Sequence, residues 1–320
     1  MTSPHSSDSR ARFRAARFDW ASFAGEATTA LAALLIIAIL LIILGDIILH
    51  GLPNLSWRFV STGTGSDMFD VRQTGILPMV LGTTARVIIM TILVLPAGVA
   101  TAIYLTEYAR LNSPFTRVIR GAVNNLAGVP SIVFGLFGAG FFVRFVGRGL
   151  DAALSPHQAL TVWGQPALLW ASATLAVMTL PVVIVTTEES LRAIPQGLRE
   201  ASLALGASKL ETVFKIVLPQ AVPGILTGAI LAVSRAAGEV APILFTGAAY
   251  YMADLPHSLH DQFMDLGYHV FILSTQAPNI DQTRPLLYTT VLVLLVLTFA
   301  LNIVAIFVRA AVRRRLRLLQ

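Results

Sequence analysis

The chain has 320 residues, of which 55% are hydrophobic and only 12% charged, with a mean hydropathy of +0.73. A soluble domain is about a quarter charged, so this composition indicates a membrane protein. The sequence has no cysteine, which excludes disulfides, thiolate catalysis, cysteine-ligated zinc and iron–sulfur clusters. The net charge of +6 does not indicate nucleic-acid binding, because the basic residues cluster beside apolar segments.

Several apolar segments are long enough to cross a membrane as helices, which takes about 20 residues for a hydrocarbon layer of ~30 Å. They lie at about 27–49, 76–105, 123–146, 167–187, 220–245 and 286–308. None shows the alternating polarity of a membrane β-strand. The sequence therefore predicts an all-α, polytopic membrane bundle with six transmembrane helices.

The first apolar run is too long for a signal-peptide core and lacks a convincing cleavage site, so we interpret it as a retained helix. This interpretation divides the chain into four parts. They are a basic N-terminal segment, 1–26; a first transmembrane helix, 27–49; a transmembrane domain, 76–309; and a basic tail, 310–320.

Basic residues are distributed unequally between the two sides of the predicted bundle. The loops on the side of the termini hold sixteen: Arg10, Arg12, Arg14, Arg17, Arg110, Arg117, Arg120, Arg192, Arg199, Lys209, Lys215, Arg309, Arg313, Arg314, Arg315 and Arg317. The opposite loops hold four: Arg58, Arg72, Arg148 and Arg284. Because cytoplasmic loops carry the excess of lysine and arginine, we expect both termini in the cytoplasm of a bacterial cell. The chain would then lie in the inner membrane, with its basic tail against anionic lipid.

Small residues in the third span, Gly128, Ser131, Gly135 and Gly138, are expected to let helices pack closely. The loop at 246–285 is predicted to be ordered, because it contains five aromatic residues that a solvated linker would not need. They are Tyr250, Tyr251, Phe263, Tyr268 and Phe271.

The segment 198–218, which we call the elbow, has the pattern of two short helices separated by a glycine. Pro195 breaks the chain after the fourth span, and the helix-forming residues that follow stop at Gly206, the usual residue of a left-handed cap. Ser208 and Glu211 form a capping-box pattern, which predicts the start of a second helix.

The second helix of the elbow is predicted to stop near Pro219. It would carry its apolar residues on one face: Leu210, Val213, Phe214, Val217 and Leu218. From the residues alone, the elbow is either a connection to a partner protein or an ordinary interfacial helical hairpin.

The elbow resembles the EAA loop of ABC importer permeases in Glu200-Ala201-Ser202, in Gly206 and in Ile216-Val217-Leu218-Pro219. Ser202 alone departs from the usual alanine. The resemblance implies a type I ABC importer permease fold and a coupling helix docked on an ATPase subunit. The residues expected in this coupling are Glu200, Ala201, Ser202, Gly206, Ala207 and Ser208.

ATP and Mg²⁺ would be bound by that ATPase, with no cofactor in this chain. The chain has only two lysines, Lys209 and Lys215, and neither follows glycine as a phosphate-binding loop requires. We therefore expect a non-catalytic permease subunit.

Charged residues inside the predicted spans are costly, about 2.5–3.5 kcal/mol each at the membrane centre, and indicate partners or an aqueous path. Arg235 and Glu239 are four residues apart and are expected to share a helical face. They could form a structural ion pair or line an anion path, where arginine offers two parallel donors and the carboxylate accepts from a protonated anion. Arg86 could add a second positive charge to the path or extend to a membrane interface.

The segments 126–138 and 234–247 are similar to those of phosphate permeases of the Pst type, and the full resemblance covers about residues 75–310. The R-A-x-G-E-x-A-P pattern at 235–242 is the most specific part. This resemblance implies import of inorganic phosphate together with a homologous permease of the PstC type. It also implies an ATPase dimer of the PstB type and an external phosphate-binding protein of the PstS type.

Three alternatives remain open at this point: an ABC permease for sulfate or molybdate, a secondary anion transporter and, least supported, an integral membrane enzyme. A secondary transporter would use intramembrane charges equally well. His257 and His260 could share a helical face, but without a third ligand we predict no metal site.

Overall fold

A computed structural model of the protein describes residues 20–65, 68–69, 73–110, 113–154, 161–252 and 254–317. The chain divides into two units, residues 1–46 and 47–320, and the second contains the helical bundle. Most of segment 1–26 and the last three residues of the tail lie outside the described residues. So do five arginines used in the topology prediction: Arg10, Arg12, Arg14, Arg17 and Arg72.

Most of the described residues are helical. The helices are α1 (Trp20–Gly51), α2 (Trp57–Ser61), α3 (Leu77–Ile103), α4 (Pro114–Leu126), α5 (Ser131–Gly138), α6 (Arg148–Leu154), α7 (Leu168–Arg192), α8 (Gln196–Ala204), α9 (Lys209–Glu211), α10 (Leu218–Gly238), α11 (Leu266–Thr275) and α12 (Ile280–Arg317). Three π-helical segments extend them, at Tyr104–Tyr108, Ala139–Gly147 and Thr212–Val217.

Within the part of the chain that the structure describes, six continuous helical segments are long and apolar enough to cross a membrane, which confirms the predicted number of spans and the all-α class. They are Ser22–Asn54, Leu77–Tyr108, Ser131–Leu154, Leu168–Arg192, Lys209–Gly238 and Ile280–Arg315. Among the described residues, β pairing is limited to one bridge between Ala248 and Phe263.

Helix α7 lies at the centre of the second unit and packs against α3, α5 and α10. The core between them contains large apolar side chains such as Met90, Leu175 and Ile243, all fully buried. Gly135 and Gly138 allow the third span to approach closely: a Cβ at Gly135 would lie 2.9 Å from the carbonyl oxygen of Ala241. The packing role predicted for these two glycines is confirmed.

The third span begins later than predicted, at Ser131 rather than near residue 123. Residues Pro114–Leu126 form a separate helix, α4, and Pro130 has an extended ψ of 140° between the two helices. A proline disfavours helix in the residue before it and lacks the N–H of the helical ladder, so the chain breaks here.

The fifth span also differs from the prediction. Its helix begins at Lys209, continues past Pro219 and ends at Gly238 instead of near residue 245. The predicted stop at Pro219 is wrong, because a π-helical segment over Thr212–Val217 precedes the proline and shifts the hydrogen-bond ladder there. Glu239 consequently lies just beyond the helix, with an extended backbone.

The loop predicted to be ordered returns into the bundle. We call its residues 254–276 the returning segment; it contains α11 and the fully buried side chains of Phe263 and Leu266. Backbone hydrogen bonds from Leu168 and Leu169 to the carbonyls of Asp261 and Leu259 attach this segment to the start of α7. The order predicted for the loop is therefore confirmed.

Candidate functional site

The elbow has the two-helix structure that its sequence predicts. Helix α8 ends at Ala204, and Gly206 has a φ of +87°, the left-handed conformation that glycine adopts without penalty. The capping box is complete: the backbone N–H of Ser208 donates to Glu211 Oε2 at 3.0 Å, and that of Glu211 donates to Ser208 Oγ at 3.2 Å. The prediction of a glycine break followed by a capped helix is confirmed.

Ser202, the residue that departs from the usual alanine, connects the two helices of the elbow. Its Oγ lies 2.9 Å from Thr212 Oγ1, at hydrogen-bond distance. An alanine could not make this bond. The substitution thus adds a direct link across the Gly206 turn.

The apolar residues of the second elbow helix, which were predicted to lie on one face, differ in burial. Val213 and Val217 are buried in the bundle, whereas Leu210 and Phe214 are 60% and 54% exposed. Leu205, beside the glycine turn, is 89% exposed. The elbow therefore exposes large apolar side chains that nothing in the described chain covers, and Leu205, Leu210 and Phe214 are the most exposed of them.

Arg199 anchors the elbow to the ends of two spans. It donates from Nη2 and Nε to Glu107 Oε1 at 2.8 and 3.2 Å, and from Nη2 and Nη1 to the carbonyls of Leu191 and Ile194, both at 2.8 Å. Its side chain is only 18% exposed. Sequence analysis did not identify the pair, because Arg199 and Glu107 are 92 residues apart and neither belongs to a local motif.

A second ionic cluster lies next to this anchor. Glu188 Oε2 accepts from Arg120 and Arg192, each at 3.0 Å, and Arg120 also donates to the carbonyl of Leu105 at 3.1 Å. A cavity of about 530 Å³ is lined by Arg120, Arg192 and Arg199. Ion pairs and hydrogen bonds to carbonyls therefore connect α4 and α8 to the elbow-side ends of the spans that contain α3 and α7.

Arg235 and Glu239 are close together, but the prediction that they share a helical face is wrong, because Glu239 lies beyond the end of α10 with an extended backbone. Their contact is weak. Arg235 Nε lies 3.4 Å from Glu239 Oε1, and the side chains are 45% and 23% exposed. A half-exposed ion pair contributes little to stability, about 0–1 kcal/mol. Both charges are therefore accessible at the end of an apolar span, Arg235 on α10 and Glu239 just beyond it.

Arg86 lies in the same region but is fully buried, so its proposed extension to a membrane interface is wrong. Its Nε is 2.6 Å from Asp265 Oδ2, and both side chains are 0% exposed. The other two guanidinium nitrogens donate to the carbonyls of Ala236 and Ala237 at 2.8 and 3.1 Å. Asp265 belongs to the returning segment, and no motif in the sequence singled it out as a partner of Arg86.

The two histidines of the loop do not form part of a metal cluster in the described chain. The turn that contains them is organised by Asp261, whose Oδ2 accepts from the N–H groups of His257 and Ser258 at 2.9 Å each. Hydrogen bonding by Ser258 lowers the pKa of Asp261, with further lowering by the N–H of His257.

The fold and these features define an all-α, multi-pass membrane protein with a helical elbow between its fourth and fifth spans, as in transport permeases. Residues 94–318 match the family described as "Binding-protein-dependent transport system inner membrane component". The chain belongs to this family.

Two relatives are similar to this chain in sequence, and one solved structure is similar to it in fold. A probable ABC transporter permease protein, YqgI of Bacillus subtilis strain 168, is 36% identical over 216 residues, 68% of this chain and 67% of the relative. The phosphate transport system permease protein PstA 1 of Mycobacterium tuberculosis strain H37Rv is 32% identical over 244 residues, 76% of this chain and 72% of the relative. A chain of a bacterial alginate ABC transporter, solved with an alginate-bound periplasmic protein, has the same fold at 12% identity; its TM-score is 0.60, with 91% of this chain and 96% of that chain covered.

Proposed function

We propose that the chain is the permease subunit of an ATP-driven importer of inorganic phosphate. The observation that carries the proposal is the half-exposed Arg235–Glu239 pair on an otherwise apolar span, 3.4 Å apart at the end of α10. A weak, accessible pair can exchange its partner for an anion, whereas a tight buried pair cannot. Similarity to a protein named as a phosphate permease supports the same substrate.

Phosphate suits this pair better than other tetrahedral anions do. The guanidinium of Arg235 can donate two parallel hydrogen bonds to one anion. The carboxylate of Glu239 can accept a hydrogen bond from the protonated oxygen of hydrogen phosphate, but sulfate has no proton to donate at neutral pH. Sulfate and molybdate are therefore the weaker candidates for an ABC permease with this pair.

We further propose that the elbow transmits conformational changes from a partner ATPase to the membrane spans. The ATPase would bind and hydrolyse ATP with Mg²⁺, and this chain would catalyse no reaction. Three exposed apolar residues, Leu205, Leu210 and Phe214, supply a surface that an ATPase cleft could cover. Arg199 would carry movement of α8 to α3 and α7 through Glu107 and the carbonyls of Leu191 and Ile194. Glu200, Ala201, Ala207 and Ser208 would lie at this contact.

The complete importer would contain a second, homologous permease of the PstC type, an ATPase dimer of the PstB type and an external protein of the PstS type.

Reconstitution of the complex in lipid vesicles tests whether transport depends on ATP and whether phosphate is the substrate. We expect the purified complex to accumulate radiolabelled phosphate only with ATP, and sulfate or molybdate not to compete. Uptake driven by an ion gradient without ATP would instead support the secondary transporter.

The anchor at Arg199 gives one prediction. We expect Glu107→Ala to lower phosphate uptake per ATP hydrolysed by about tenfold, because a hydrogen bond to a charged group contributes about 1.5–3 kcal/mol and the elbow would lose its link to α3. Transport and hydrolysis are measured together in vesicles. Glu189→Ala, which removes an exposed carboxylate near the end of α7, is the control. Equal coupling ratios in the two variants would contradict the anchor.

Membrane orientation gives another prediction, with both termini in the cytoplasm. Because the chain has no cysteine, single cysteines can be labelled cleanly. We expect Arg313→Cys to be protected from an impermeant thiol reagent in intact cells and Asp254→Cys, in the returning segment, to react. Both positions are exposed, so access to the side chain is not limiting. Labelling of both cysteines from the same side would remove a span from the topology.

A further inference from the structure

A buried ion pair joins the returning segment to α3. Arg86 Nε lies 2.6 Å from Asp265 Oδ2, which also accepts from Thr83 Oγ1 at 2.8 Å. Asp265 Oδ1 accepts from the backbone N–H of Tyr268 at 3.1 Å, so Asp265 is also the N-cap of α11. Both carboxylate oxygens thus have donors, and the charge of Asp265 is neutralised at a single fixed position.

The rest of the Arg86 guanidinium holds the last turn of α10. Nη1 donates to the carbonyl of Ala236 at 2.8 Å, and Nη2 donates to that of Ala237 at 3.1 Å. The final carbonyls of a helix lack partners within it and form its negative end, where a cation is favourable. Immediately afterwards the chain leaves the helix, and Glu239 has an extended backbone with φ −81° and ψ 127°.

This arrangement is poorly suited to stability alone. A buried ion pair loses its hydration, and well-packed apolar residues of similar volume often stabilise a fold equally well or better. The planar guanidinium, however, holds its donors in a fixed geometry and binds Asp265 and two adjacent carbonyls together. The specific effect of arginine at this position is therefore to fix the positions of α3, α11 and the end of α10 relative to one another.

We propose that Arg86 and Asp265 are positioning residues for anion transport, which act through the backbone at Ala236 and Ala237 to set the location of Glu239 relative to Arg235. The proposal rests on the function proposed above. Arg86 does not contact the anion, since its side chain is fully buried and each of its nitrogens already donates to a group of the chain. If the end of α10 were released, Arg235 and Glu239 would both persist, but they would no longer be held at one separation.

Two variants in the complete importer test this role. Arg86→Lys keeps the charge but loses the fork, and Arg86→Gln combined with Asp265→Asn removes both charges while asparagine preserves the N-cap. For both, we expect assembly as in the wild type and a KM for phosphate raised by about tenfold or more, because small misplacements of binding groups are costly. The control is Arg309→Lys: Arg309 also holds α10, at Thr227 Oγ1 (3.0 Å), but far from Glu239 along the helix.

A raised KM in both variants and an unchanged KM in Arg309→Lys would support the positioning role. A wild-type KM in either variant would overturn it. Loss of assembly in both variants would assign the pair to folding alone and would equally overturn it. Failure of the underlying function is distinguishable, because the wild-type importer itself would then show no ATP-dependent phosphate uptake.

Discussion

Replacing both members of the Arg235–Glu239 pair with glutamine is expected to reduce phosphate uptake by about a hundredfold or more, since each charge-assisted hydrogen bond to the anion contributes about 1.5–3 kcal/mol. The complex should still assemble, because the pair is half-exposed, its N···O distance is 3.4 Å and its removal leaves no unpaired charge. The measurement is uptake of radiolabelled phosphate normalised to the amount of assembled complex.

A second double variant helps to distinguish a purely structural ion pair from a pair that binds phosphate. Arg235→Glu combined with Glu239→Arg keeps an ion pair of the same type but exchanges the donor and the acceptor. If the two residues only stabilise each other, both double variants should transport normally. If they bind phosphate, both should fail. Near-normal uptake in the double glutamine variant would exclude a role in anion passage.

Valine at position 206 is expected to lower ATP-driven phosphate uptake by about tenfold or more without preventing membrane insertion. The φ of Gly206 is +87°. A residue with a Cβ is destabilised by roughly 1–2 kcal/mol in this conformation, so the population of the elbow conformation seen here would fall by about tenfold. No atom lies within 4 Å of a Cβ built at this position, so the penalty is one of backbone conformation and not of crowding. Hydrolysis of ATP should continue, uncoupled from transport.

Gly206→Asn is the control for this effect, because asparagine is similar in size to valine but tolerates the left-handed conformation. We expect it to retain most of the uptake that Gly206→Val loses. Equal loss in both variants would mean that the added side chain, and not the backbone of the elbow, obstructs the contact with the ATPase. Normal transport in Gly206→Val would count against the coupling role itself.

The sequence by itself determined the features that depend on neighbouring residues. The number of spans followed from the length of apolar runs. The Gly206 turn and the Ser208–Glu211 capping box followed from side chains that act within one helical turn. Helix ends at proline were less predictable: Pro130 breaks the chain, whereas Pro219 does not, because the π-helical segment before it accommodates the missing N–H.

Only the tertiary structure decided which distant charges meet. Arg86 and Asp265 are 179 residues apart, Arg199 and Glu107 are 92 apart, and no local pattern indicates either pair. These contacts exist because the returning segment and α8 fold back onto spans that are remote in the chain. A charge buried inside an apolar bundle is costly unless it is paired, and the packing of the whole fold determines which opposite charge lies close enough to pair with it.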